Sequence, residues 1–174
     1  MTDVVLVGNL QNQLDRLMNQ LSDLEEERPN MDAKEYEELK TETMEELQDL
    51  SRTLEKMTGG SITVIDNLTA TRMAVRAAIS QAFRTPEIVA LFARKQPAAL
   101  RQKLIVMDND LHMQKITERE YQARKLEILT ALVNLKEELS DDERAFLKQR
   151  QAESLPQFDL EATSGNTVCR NKLD

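Results

Sequence analysis

The stretch "QLDRLMNQLSDLEEE", residues 13–27, sets its leucines at positions 14, 17, 21 and 24, and this alternation of threes and fours decides the fold. Extended back to Val7 and Leu10, the series forms one narrow apolar stripe along a helix predicted from about Asp3 to Arg28, where Pro29 disfavours continuation. A second stripe follows after "RPNM", with Asp32 as N-cap and Tyr36, Leu39, Thr43, Leu47, Leu50, Leu54 and Met57 in register, and it stops at "TGGS". Two helices of similar length joined by so short a connector lie antiparallel and adjacent. The leucine register is shorter than the three to four heptads of a self-sufficient coiled coil, so closure within one chain is favoured over a zipper dimer. Antiparallel association of two such hairpins stays open.

The remaining sequence continues in helices. A broad apolar face predicts a third helix over "ITVIDNLTATRMAVRAAISQAF", capped by Ser61 and reaching Phe83. "TPE" at 85–87 offers a capping hydroxyl, a proline at the first helical position and an acid in the first turn of a fourth. Pro97 opens a fifth, carrying Leu100, Leu104, Met107 and Leu111. Thr117 with Glu120 and Ser140 with Glu143 are capping-box patterns for helices over about 117–138 and 141–154. The expectation is an all-α chain: a long antiparallel, coiled-coil-like hairpin at 1–58, a central helical segment at 61–116, a compact helical domain at 117–156 and a flexible tail at 157–174. Four glycines, four prolines and 3% aromatic residues in 174 suit this and argue against a many-stranded fold.

Charge is divided along the chain. Residues 1–57 hold 15 acids against 6 bases, while residues 72–103 carry seven bases (Arg72, Arg76, Arg84, Arg94, Lys95, Arg101, Lys103) against Glu87 alone. A basic middle facing an acidic front points to compensation within the molecule, with an acidic partner as the alternative. Nucleic acid is disfavoured, because the patch lacks interleaved aromatics and the chain has a net charge of −8.

Catalytic and metal-binding patterns are missing from the sequence. His112 is the only histidine and has only Asp108 one turn away, and Cys169 has no partner for a disulfide or a triad. Phosphate-loop, dinucleotide and zinc-protease signatures do not occur. No apolar run is long enough to serve as a signal peptide or to span a bilayer. These readings predict a soluble intracellular protein without enzymatic activity, cofactor, metal or small-molecule substrate, working through helical surfaces.

"REYQARKLEILTALVNLKEELSDDERAFL", residues 119–147, resembles the ICAT domain, named for an inhibitor of β-catenin and Tcf. The matching residues are Tyr121, Lys125, Leu126, Ile128, Leu129, Leu132, Leu135, Leu139, Ser140, Glu143, Phe146 and Leu147. Upstream, "QLDRLMNQLSDLEE" and "RAAISQAFRTPEIVALFARKQPAALR" are similar, in the same order, to leucine-zipper-bearing members of that family. The resemblance implies a non-enzymatic regulator of cytoplasm and nucleus in Wnt signalling. Its helices would pack on late armadillo repeats of β-catenin while an acidic tail runs along the repeat groove in competition with Tcf. Carried onto this chain, it implies partner-binding roles for Tyr121, Lys125 and Ile128 on one helix face and for Phe158, Asp159 and Glu161 in the tail. The same spacing serves equally to bury that face in the chain's own core, which is favoured for Ile128 and evenly balanced for the more polar Tyr121 and Lys125. Two features depart from the family pattern. The tail is shorter and less acidic, and Val133 and Lys136 replace a basic residue and a glycine of the ICAT helix.

Overall fold

The computed structural model describes residues 2–57 and 62–154, with side chains over 3–57 and 68–150. All regular structure there is helical: α1 (Thr2–Glu27), α2 (Ala33–Met57), α3 (Ile62–Ile79), α4 (Pro86–Ala93), α5 (Pro97–His112), α6 (Glu118–Asn134) and α7 (Asp141–Ser154). Ser61, expected as a cap, the "TGGS" stop and the tail 157–174 lie outside the described residues.

The hairpin forms because each of its helices has a stripe to bury. Leu10, Leu14, Leu17, Met18 and Leu24 of α1, with Tyr36, Leu47, Leu50 and Leu54 of α2, are buried. A 3₁₀ turn at Arg28–Asn30 reverses the chain, and the Asp32 carboxylate accepts the Lys34 N–H to cap α2. Leu39, assigned by its spacing to the buried stripe, is exposed. The Thr43 hydroxyl turns back onto the Leu39 carbonyl instead. Spacing gives a residue's direction from the helix axis, but how wide a stripe is buried depends on what packs against it.

The hairpin does not stand apart. α3 packs on α1, α2 and α4, and α4 also packs on α1, α5 and α6; α5 packs on α6, and α6 on α7. One cluster of buried residues therefore runs from Leu10 and Leu14 through Val75, Ile88, Phe92 and Leu100 to Ile128, Leu129, Leu132 and Leu147. The Phe83 and Phe92 rings meet inside it, centroids 5.6 Å apart and planes tilted by 47°.

Helix stops differ from those the sequence suggested. α3 ends at Ile79 rather than Phe83, and α6 ends at Asn134 rather than near residue 138. Among the described residues, four non-glycine residues with positive φ follow the helix ends: Gln81 (59°), Lys95 (53°), Gln114 (59°) and Lys136 (62°). After α4, α5 and α6 the backbone closes Schellman motifs, with paired bonds such as Lys136 N–H to Val133 C=O and Glu137 N–H to Leu132 C=O. Glycine usually takes such positions because it has no Cβ to clash. Here polar side chains accept the strain, and no sequence signal marks them.

Candidate partner-binding surface

Both capping boxes form. The Thr117 hydroxyl accepts the Glu120 N–H and the Glu120 carboxylate accepts the Thr117 N–H, which holds Glu120 below the ordinary glutamate value. Ser140 and Glu143 repeat the arrangement at α7. The Glu143 carboxylate also receives Arg101 of α5 at 2.5 Å, and Arg101 donates a further bond to the Glu138 carbonyl. These contacts fix α6 and α7 against α5.

On the α6 face, Tyr121 is half-buried, and its hydroxyl donates to the Asp108 carboxylate of α5. Burial first, then Asp108, pushes the Tyr121 hydroxyl well above the ordinary tyrosine range, so it stays neutral and donating. Lys125 lies one turn on. Its ammonium sits 5.4 Å from the centre of the Tyr121 ring and 5.0 Å from that of Phe146 on α7, and it donates to the Tyr121 oxygen at 3.4 Å. Arg150 covers the Phe146 ring at 5.7 Å and donates to the Gln122 side chain. Tyr121 and Lys125 thus belong to a surface cluster of aromatic rings and cations.

Ile128 goes elsewhere. Its side chain is fully buried together with Leu129, Ala131 and Leu132. The helix is covered by α4, α5 and α7, so its buried face is broad and takes in Ile128 although that residue follows Tyr121 and Lys125 at helical spacing. As placed here it supports the surface from below and offers a partner no contact area. Phe158, Asp159 and Glu161 lie outside the described residues.

Several residues of this surface were not singled out from the sequence as sites. Asp108 and Arg150 reach it from other helices, and no local pattern announces them. Ile105 and Val106 of α5 and Met113, its C-cap residue, are exposed apolar side chains. His112 meets the Asp108 backbone carbonyl through Nδ1 and does not share a ligand set with the Asp108 carboxylate. Among the described residues no group of three or more His, Cys, Asp or Glu could hold a metal ion. No described helix is long and apolar enough to cross a membrane.

The basic middle is largely compensated. Arg94 pairs with Asp15, Arg76 with Glu55, Arg101 with Glu143 and Lys103 with Glu87. Two of these partners belong to the acidic hairpin.

No solved structure matches the chain. Residues 107–168 match the family model described as beta-catenin-interacting protein ICAT. That span opens within α5, takes in the Tyr121–Lys125–Phe146 cluster and leaves out α1 to α4, so the likeness to that family covers the C-terminal part of the chain.

Proposed function

We propose that this chain is a non-enzymatic regulatory protein that acts by binding another protein through its α5–α7 face. The observation carrying this reading is the family match over 107–168. The surface described for that span supports it: an aromatic and cationic cluster on α6 and α7 is tied to α5 through the Tyr121–Asp108 bond. Such a face suits docking, since rings supply contact area at low entropic cost and cations supply direction. The site of action is the cytoplasm, with the nucleus as a second location.

The description of the matching model favours a specific partner, β-catenin; the contact proposed is with its armadillo repeats, and the proposed outcome is antagonism of Tcf-dependent transcription in Wnt signalling. Tyr121 and Lys125 would meet the repeats directly, Ile128 would hold their helix in place, and Phe158, Asp159 and Glu161 would follow the groove as an extended segment. Asp159 and Glu161 alternate with Phe158 and Leu160, a pattern that turns charge and apolar surface to opposite sides of a strand.

Calorimetric titration of the full chain into the armadillo repeats tests this. Binding tighter than tens of micromolar, roughly −6 kcal/mol or better, that weakens on Lys125→Glu supports the reading. Absence of heat at that concentration, or indifference to Lys125→Glu, overturns it.

A further inference from the structure

α6 packs on α4, α5 and α7, and between its first turns and the α1–α2 hairpin lies a cleft of about 620 Å³. Its floor is apolar: Leu21 and Met44, partly exposed, lie over buried Met18, Ala78 and Phe83. Its rim carries Arg28, Lys40, Arg84 and Arg124 against Glu25 and Glu120, a local excess of two positive charges in a chain of net charge −8. Lys40 and Arg28 are held in place on the hairpin. Tyr36 donates to Glu25 at 2.5 Å, Lys40 donates to the Tyr36 oxygen at 3.1 Å, and Arg28 lies 4.9 Å from the Tyr36 ring centre. Arg84 and Arg124 face them from the turn after α3 and from α6.

We propose that this cleft is the docking site for the chain's own segment 155–161, "LPQFDLE", so that the molecule covers in cis the residues it offers to a partner. Three observations select this occupant. First, its chemistry is complementary: in extended form Phe158 and Leu160 point to one side, toward the apolar floor, and Asp159 and Glu161 point outward toward the rim. Second, it starts nearby. Arg150, four residues before the end of α7, bonds to Gln122 on the same α6 turns that carry Glu120 and Arg124. The segment leaves α7 four residues later, needing only to round the α6 N-terminus, about 10 Å across. Third, 20 residues follow Ser154, a reach of roughly 60 Å when extended. A tether this short gives an effective concentration on the order of millimolar, enough to populate even a weak contact. The contact is independent of what partner the chain has.

The single cysteine, Cys169, lies on the same tail and accepts a nitroxide label in the otherwise unaltered full chain. The expected result is selective loss of amide NMR intensity at Ser22, Met44, Gln81 and Arg124, reversed by Phe158→Glu and by the pair Lys40→Glu, Arg84→Glu. The fold of each variant is checked by the unchanged amide positions of α5. Intensity loss spread evenly over the surface, or loss at the cleft that persists in both variants, overturns the proposal. Mixing labelled chain with isotope-enriched unlabelled chain separates the remaining case: cleft broadening in that mixture means that the tail of a second copy is the occupant, which also overturns docking in cis.

Discussion

Arg94, the C-cap residue of α4, forks onto Asp15 of α1: Nη1 meets Oδ1 at 3.0 Å and Nη2 meets Oδ2 at 2.6 Å, while Nη2 also reaches the Asn12 side-chain oxygen at 3.2 Å. Both partners are largely shielded, at 27% and 29% exposure, and the bond to Asp15 raises the guanidinium's affinity for its proton. Beside it, the Ala93 carbonyl accepts from Gln11 at 3.2 Å and from Thr71 at 3.1 Å, so this junction ties α1, α3 and α4 together. Arg94→Ala should cost about 1–3 kcal/mol, since it removes charge-assisted bonds and leaves Asp15 half-buried. Arg94→Lys should recover less than half of that, because an ammonium cannot fork. Urea denaturation of the three proteins measures both.

Lys136, just past the end of α6, occupies a left-handed position with φ 62°. Lys136→Gly should stabilise the chain by about 1 kcal/mol, a rise in Tm of roughly 2–4 °C. Lys136→Val should lower it, because a β-branched side chain fits that conformation least. Differential scanning calorimetry gives both signs in one series.

Glu127 of α6 lies buried against the start of α4, and its Oε1 accepts the Arg84 N–H at 2.7 Å. The N-cap Thr85 makes no side-chain bond into its own helix, contrary to the role its sequence position suggested, and the cap is supplied from across the chain. Burial raises the Glu127 pKa, with hydrogen bonds from Arg84 and Thr85 and the charge of Arg124 pulling the other way. A raised folded value means the folded state holds this proton more tightly. The contribution is therefore fully present below the unfolded value of about 4.5 and is lost as pH rises through the folded value. Glu127→Gln should keep the Arg84 bond and flatten that decline, while Glu127→Ala should cost about 1–3 kcal/mol by leaving the Arg84 N–H unpaired. Chemical denaturation between pH 4 and 8 distinguishes them.

Glu25 shows the opposite sign. Its bond from Tyr36 holds it below the ordinary value, with Lys40 and Arg28 adding to the effect against some burial. Its stabilisation is present above the unfolded value and lost on acidification through the folded one. Tyr36→Phe should therefore weaken the protein by about 1 kcal/mol at pH 7 and by less at acid pH. The same denaturation series reads it out.

Leu17 is fully buried in the hairpin and belongs to the core shared with α3 and α4. Leu17→Ala should cost about 2–5 kcal/mol. Leu17→Glu should melt helices in a protein already monomeric by light scattering; conversion of a dimer to a folded monomer would instead assign the stripe to a zipper.

Much of this architecture can be read in the residues. Leu14, Leu17 and Leu24 keep a helical period that only a helical partner can satisfy, and Thr117–Glu120 and Ser140–Glu143 are reciprocal caps whose bonding is local. The pairing of Arg94 with Asp15 and Arg76 with Glu55 follows from a basic middle and an acidic front. What escaped depends on distant partners or on conformation that composition hides. Glu127 caps a helix more than forty positions away, and Gln81 and Lys136 end helices without any glycine to mark the turn.

The continuity of the core gives the family boundary a physical meaning. The matched span opens at Met107, midway along α5, and so separates Met107 from Leu100 and Leu104, its buried neighbours on the same helix face. A fragment starting there would carry Glu127 with no helix to cap, and would leave α6 without α4, on which it packs. The stretch that carries family likeness is therefore one part of a larger body, bound to the rest by a single continuous core.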